Sequence, residues 1–294
     1  MKNILIVKTG AAGDVLRTTF VLDTVSKIFN VYWLTDLLCV PLINSKLANV
    51  VTDINELKGI EFETIYSLEE DISLLAQIQT LTYTNLIGCY INEDIVTYLA
   101  PNELWFDISL VSKFGIESAN KAKYNNTLTF QEMVSGIFNI PFNSEPYNEL
   151  EYDITDSIHK ADIAIAPTAG NKWPNKNWLY YNELIELLKK DGYSVNVLPQ
   201  RESIKQHISD ISAHKLVVCG DSLPMHIATA LKIPSVALFT CTSPIEIYDY
   251  NLITKIVSNQ LSKYYYQREF DENCPTSISV NTVYNTIKNT IKIT

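Results

Sequence analysis

Three stretches open the chain: Ile4-Leu5-Ile6-Val7, then Gly10-Ala11-Ala12-Gly13-Asp14, then Val31-Tyr32-Trp33-Leu34. The first and third are short, apolar and rich in strand-forming side chains. Between them Val15, Thr18/Thr19, Leu22, Val25 and Phe29 recur at helical spacing. The segment reads as strand, glycine turn, helix, strand, which is the opening of a doubly wound α/β sheet.

Outward from this opening, residues 50–54, 64–66 and 86–90 are further strand candidates, and 129–138 reads as a helix before Ile140-Pro141. Residues 145–156 are polar and acidic, contain Pro146 and show no periodicity. They form the expected linker between a first domain, 1–152, and a second, 153–294. After the linker the alternation restarts, with strands at 163–166, 195–198, 216–219 and 235–238 and helices at 178–190, 203–213 and 224–231. Apolar strands this short, alternating with helices, imply a parallel sheet covered on both faces. Val280, Val283, Tyr284, Ile287 and Ile291 mark an amphipathic terminal helix with Ser279 as its cap, placed in the second domain or packed back on the first.

At 294 residues the chain is long enough for two domains, and 47% hydrophobic with 19% charged residues supplies a core and excludes bulk disorder. The net charge of −10 argues against broad contact with nucleic acid or an anionic membrane. Up to Thr155 there are 9 basic and 20 acidic residues; from Asp156 onward there are 14 and 13. An anionic ligand therefore favours the second half. Cys39, Cys89, Cys219, Cys241 and Cys274 are odd in number and widely spaced, which fits neither a disulfide framework nor a metal cluster. The chain starts directly on its first strand and has no long apolar stretch, so it reads as cytoplasmic.

Three segments have the composition of ligand loops. Gly10-Ala11-Ala12-Gly13-Asp14 is neither a dinucleotide fingerprint nor a phosphate-binding P-loop. It reads either as a tight turn with Asp14 at a helix start or as a loop presenting Asp14 as a general base. Thr168-Ala169-Gly170-Asn171-Lys172-Trp173-Pro174 follows a strand; Lys172 either neutralises a phosphate or is solvated while Trp173 and Trp178 pack the loop. Gly220-Asp221-Ser222-Leu223-Pro224-Met225-His226 joins a strand to a helix that Pro224 suits at its first turn. The amides near Ser222 and Leu223 suit an anion, with His226 one turn further in; the alternative is a capped helix with a core histidine.

Together these segments resemble glycosyltransferase family 9, the ADP-heptose:lipopolysaccharide heptosyltransferases. The residues that carry the resemblance are Lys8 to Asp14 with Leu16-Arg17-Thr18-Thr19; Lys172-Trp173-Pro174 with Trp178; Gly220-Asp221-Ser222 with Pro224-Met225-His226-Ile227-Ala228; and Pro234, Ala237-Leu238-Phe239, Cys274, Val283 and Ile287. The resemblance implies the GT-B fold, two Rossmann-like domains facing across a cleft, with the acceptor in the first and a nucleotide-sugar donor in the second. It makes Asp14 the general base and Gly10, Ala11, Ala12 and Gly13 the acceptor-side loop. Thr168, Lys172, Asp221, Ser222, Leu223 and His226 become donor-binding residues, with Glu202 on the ribose hydroxyls. The implied reaction inverts the anomeric centre and requires no metal or other cofactor beyond the donor.

The chain departs from the family pattern at Asn171, which takes the first lysine slot, and at Leu223 and Thr240, which replace glycines. Its acidic first half fits a less anionic acceptor than phosphorylated lipid A: a surface glycan, a protein or a small molecule. Expected partners are thus the donor and such an acceptor, without nucleic acid and with at most peripheral membrane contact. Two alternatives stand beside transfer of heptose from ADP-heptose: a degenerate relative that binds a nucleotide sugar without turnover, and a GT-B enzyme, such as an epimerase, using another nucleotide sugar.

Overall fold

A computed structural model describes residues 1–294 except Asn143, Pro146, Asn171 and Thr294. Pro146 of the expected linker and the departure at Asn171 thus lie outside the described residues. The chain divides into two compact units, Met1–Asn148 and Glu149–Thr294.

The first unit holds strands β1 (Asn3–Val7), β2 (Asn30–Leu34), β3 (Asn49–Val51), β4 (Glu61–Ser67), β5 (Thr82–Asn92) and β6 (Ile95–Leu99) in the order β3-β2-β1-β4-β5-β6. The sheet is parallel except for β6, which pairs antiparallel with β5. This is the strand order of dinucleotide-binding sheets, in which the chain reverses direction across the sheet between β1 and β4. Ile4 to Val7 are wholly buried, which explains why a central strand reads as an unbroken apolar run.

Two features of this unit differ from the sequence expectation. The helix after the glycine turn is broken into Ala12–Thr18, a 3₁₀ turn at Thr19–Val21, and Leu22–Val25. Thr18 and Thr19 cause the break locally, since their hydroxyls donate back to the carbonyls of Asp14 (2.6 Å) and Leu16 (2.7 Å). Strand β6 was not anticipated. Glu93 and Asp94, with φ of 49° and 64°, make the tight turn that folds it onto β5, and neither is the glycine that usually marks such a turn.

The second unit holds β7 (Ala161–Ala166), β8 (Val195–Val197), β9 (His214–Gly220), β10 (Ser235–Phe239) and β11 (Ile253–Val257), all parallel, in the order β11-β10-β9-β7-β8. Here the reversal falls between β7 and β9. The helices Tyr181–Lys190, Ile204–Ser212, Leu223–Ala230 and Val280–Ile293 accompany this sheet. The first of them starts three residues later than its periodicity predicts. Trp178 sits ahead of it as a core plug, its indole N–H donating to the Ile278 carbonyl at 2.9 Å. Val283 and Ile287 of the terminal helix are buried in the same core as Leu184, Leu188 and Leu238, and the Ser279 hydroxyl accepts from the Thr282 amide. Strand β11, not anticipated from sequence, completes the sheet edge.

All five cysteines are buried and free, and burial pushes the Cys39 and Cys89 thiols up to about 11 and about 12, away from reactivity. Among the described residues no helix is long and apolar enough to cross a membrane.

Candidate functional site

Doubly wound sheets bind ligands beyond the carboxyl ends of their strands, where the strand order reverses. In the first unit that position lies between the ends of β1 and β4. The turn after β1 passes through Gly10 and Ala11, the latter in the left-handed region at φ 54°, and enters the Ala12–Thr18 helix. Asp14 lies in its first turn, partly exposed, with Oδ1 2.8 Å from Nη2 of Arg17. The Arg17 guanidinium in turn stacks over the Phe130 ring, its carbon 3.8 Å from the centroid, so Asp14 is oriented by a charge that is itself held in place.

The loop is anchored by Glu69, which sequence reading missed. It follows β4, and its Oε1 accepts from Lys8 Nζ (2.7 Å), the Thr9 amide (2.7 Å) and the Gly10 amide (3.4 Å). Lys8 and Glu69 are 61 positions apart and both mostly buried. One carboxylate therefore ties the end of β1, the glycine turn and a buried lysine into a single unit. Composition offered no signal for this, since Glu69 stands in a run of three acidic residues.

In the second unit the corresponding position lies between β7 and β9. Three predicted segments converge on this sheet edge: Thr168 and Lys172 after β7, Glu202 after β8, and Asp221, Ser222, Leu223 and His226 after β9. Thr168, Lys172 and Glu202 are exposed, whereas Leu223 is half-buried and His226 buried. The loop bearing Glu202 is fastened by its neighbour Arg201, whose Nε and Nη2 donate to the two carboxylate oxygens of buried Asp210 at 2.7 and 3.0 Å.

Ser222 is the N-terminal cap position of the Leu223–Ala230 helix, in extended conformation, with Pro224 in the first turn. Its hydroxyl turns back to the Gly220 carbonyl at 3.2 Å rather than capping the helix. Gly220 is required for a spatial reason: a Cβ there would lie 2.9 Å from the Lys176 carbonyl oxygen. Lys176 is the second residue missed by sequence reading. Its ammonium donates to the Asp221 carbonyl (2.9 Å) and to Asp221 Oδ2 (2.8 Å), and Thr242 donates to the same Oδ2 at 2.8 Å. Burial would raise the Asp221 carboxyl, but the Lys176 ammonium, aided by His226 and the Thr242 hydroxyl, outweighs it and holds the group down at about 2.

Thr240 is buried and donates to the Asn175 carbonyl at 2.7 Å. Asn175 is wholly buried. Its side chain donates to the carbonyls of Gln267 and Glu269 and accepts from the Asp271 amide. Thr240 thus ties the loop after β7 to the end of β10, and the Asn175 side chain ties it to residues 267–271. Tyr264 is buried and the Tyr266 hydroxyl donates to Glu246, so these tyrosines pack the region.

Residues 194–277 match the family model of glycosyltransferase family 9 (heptosyltransferase). Solved structures similar to the whole chain include a glycosyl transferase family 9 protein from Veillonella parvula, at 14% identity and a TM-score of 0.70, with 100% of this chain and 98% of that one covered. E. coli heptosyltransferase WaaC with ADP aligns at 14% identity and 0.64, covering 98% and 99%. E. coli ADP-heptose lps heptosyltransferase II aligns at 17% and 0.61, covering 98% of each. No curated protein matches the chain.

The two parallel-sheet units and these likenesses define the fold, that of the GT-B glycosyltransferases. The span that resembles glycosyltransferase family 9, residues 194–277, contains Glu202, Asp221, Ser222, Leu223 and His226.

Proposed function

We propose that this protein moves a sugar from a nucleoside diphosphate donor, ADP-heptose first among them, onto a hydroxyl group of an acceptor with inversion at the anomeric carbon. The observation that carries this reading is the family match over residues 194–277, because that span holds the β9 turn and the Leu223–Ala230 helix start. It is supported by the relatives that bear the fold, among them WaaC described with ADP and with ADP-2-deoxy-2-fluoro heptose.

In this reading the acceptor oxygen attacks the anomeric carbon while its proton passes to the Asp14 carboxylate, and the bond to the diphosphate breaks with its electron pair leaving on the phosphate oxygen. Charge that grows on the leaving group is met by amides near Ser222 and Leu223, by His226 and by a lysine of the loop after β7. In the same reading Glu202, exposed after β8, contacts the ribose hydroxyls. The acidic first half favours a weakly anionic acceptor such as a surface glycan, a protein or a small molecule.

The test is a thermal-shift comparison of ADP, UDP, GDP, CDP and ADP-heptose, since a ligand of the folded state raises the melting temperature by mass action. A selective rise with ADP and ADP-heptose is expected. A rise with UDP or GDP alone would discard heptose and keep nucleotide-sugar transfer. Binding of ADP-heptose without turnover on any glycan, protein or small-molecule acceptor would favour a binding protein over a transferase.

A further inference from the structure

We infer that the lysine meeting the donor's diphosphate is Lys176, not Lys172, and that Asp221 and Thr242 act as positioning residues that hold it. This rests on the nucleotide-sugar reading and specifies the cation that the reading needs. Lys172 is exposed on the loop after β7, in which Gly170 lies in the left-handed region at φ 75°. Lys176 lies in the 3₁₀ turn Pro174–Lys176, with its side chain 12% exposed.

Lys176 is fixed to the β9 turn at both ends. Its carbonyl abuts Gly220, and its ammonium bonds the Asp221 carbonyl and carboxylate. An ammonium has three donors, and these two bonds leave one for a phosphate oxygen. The Trp173 ring, 5.7 Å from Nζ, flanks the charge, and Thr242 holds the carboxylate oxygen that holds Nζ. A cation already ordered and mostly desolvated loses less freedom on meeting an anion than a solvated one, and its field is less screened. Asp221 thereby contributes to donor binding through Lys176, by holding its ammonium in place at the β9 turn.

The experiment measures ADP affinity by calorimetry and adenosine affinity by saturation-transfer NMR, for wild type, Lys176→Ala, Lys172→Ala and the neutral pair Lys176→Gln with Asp221→Asn. Lys176→Ala is expected to weaken ADP by about 10- to 100-fold, as loss of a charged hydrogen bond does, and to leave adenosine within about threefold. Lys172→Ala is expected to cost ADP less than Lys176→Ala. The double variant removes both buried charges together, so it keeps its melting temperature near wild type while losing ADP affinity.

Equal losses for ADP and adenosine would overturn the inference, because they would mark Lys176 as structural. So would a larger loss from Lys172→Ala, or a folded double variant that binds ADP like wild type. If the wild-type protein binds no nucleoside diphosphate, the nucleotide-sugar reading itself fails and takes this inference with it; wild-type binding that Lys176→Ala leaves intact removes the inference alone.

Discussion

At Gly220 one missing methyl group lets two loops touch. The obstacle to a side chain there is the Lys176 carbonyl, a backbone atom that cannot rotate away. Gly220→Ala should therefore destabilise the protein by about 1–3 kcal/mol, as overpacking does, measurable by urea denaturation. Asp221 makes the same region sensitive to acid. Its carboxyl titrates at about 2 when folded, below its ordinary value near 4, so its ionised form adds stability above pH 4 that is lost as pH falls from about 4 through about 2. Melting temperatures of wild type and Asp221→Asn should converge over that interval. A constant gap would mean that the ion pair with Lys176 adds nothing to stability. Residue identity in these loops was legible as chemistry, since a glycine, an acid and a proline before a helix announce a turn with exposed amides. The partners were not legible: Lys176 stands 45 positions from Asp221 and looks like any lysine in an asparagine-rich stretch.

The elements whose ends carry local signals were read correctly, and those shaped by distant neighbours were not. The helix Phe130–Phe138 is closed at its start by Thr129, whose hydroxyl accepts from the Glu132 amide while Glu132 accepts from the Thr129 amide. This reciprocal pair is written in four consecutive positions. Thr129→Ala should cost about 1 kcal/mol, seen as a lower midpoint in denaturant, and Thr129→Ser should restore most of it. By contrast β6, Ile95–Leu99, is apolar but buries only Tyr98 fully, and its place is set by antiparallel pairing with β5 at the sheet edge. The Tyr181–Lys190 helix starts late because Trp178, although in phase with the helix, is recruited by Ile278 a hundred positions away. Periodicity shows which side chains share a face but not which of them the backbone carries as helix.

Each unit has its own sheet and its own reversal of strand order, and the proposed chemistry divides between them: a base on the first, an anion site on the second. Asp14→Asn should therefore reduce transfer by at least about a hundredfold, the range of a lost general base, while ADP affinity and melting temperature stay near wild type. Retained turnover would remove Asp14 as the base. Strand–helix alternation, the glycine turn after β1, the β9 turn and the acidic bias of the first half can all be read along the chain, because each depends on residues within one or two turns of each other. The bonds of Glu69 to Lys8 and of Lys176 to Asp221 cannot. They exist because β4 lies beside β1 and β7 beside β9. Strand order is set by how whole faces of the sheet are buried, a choice made by the core as a unit, and no local stretch of sequence carries it.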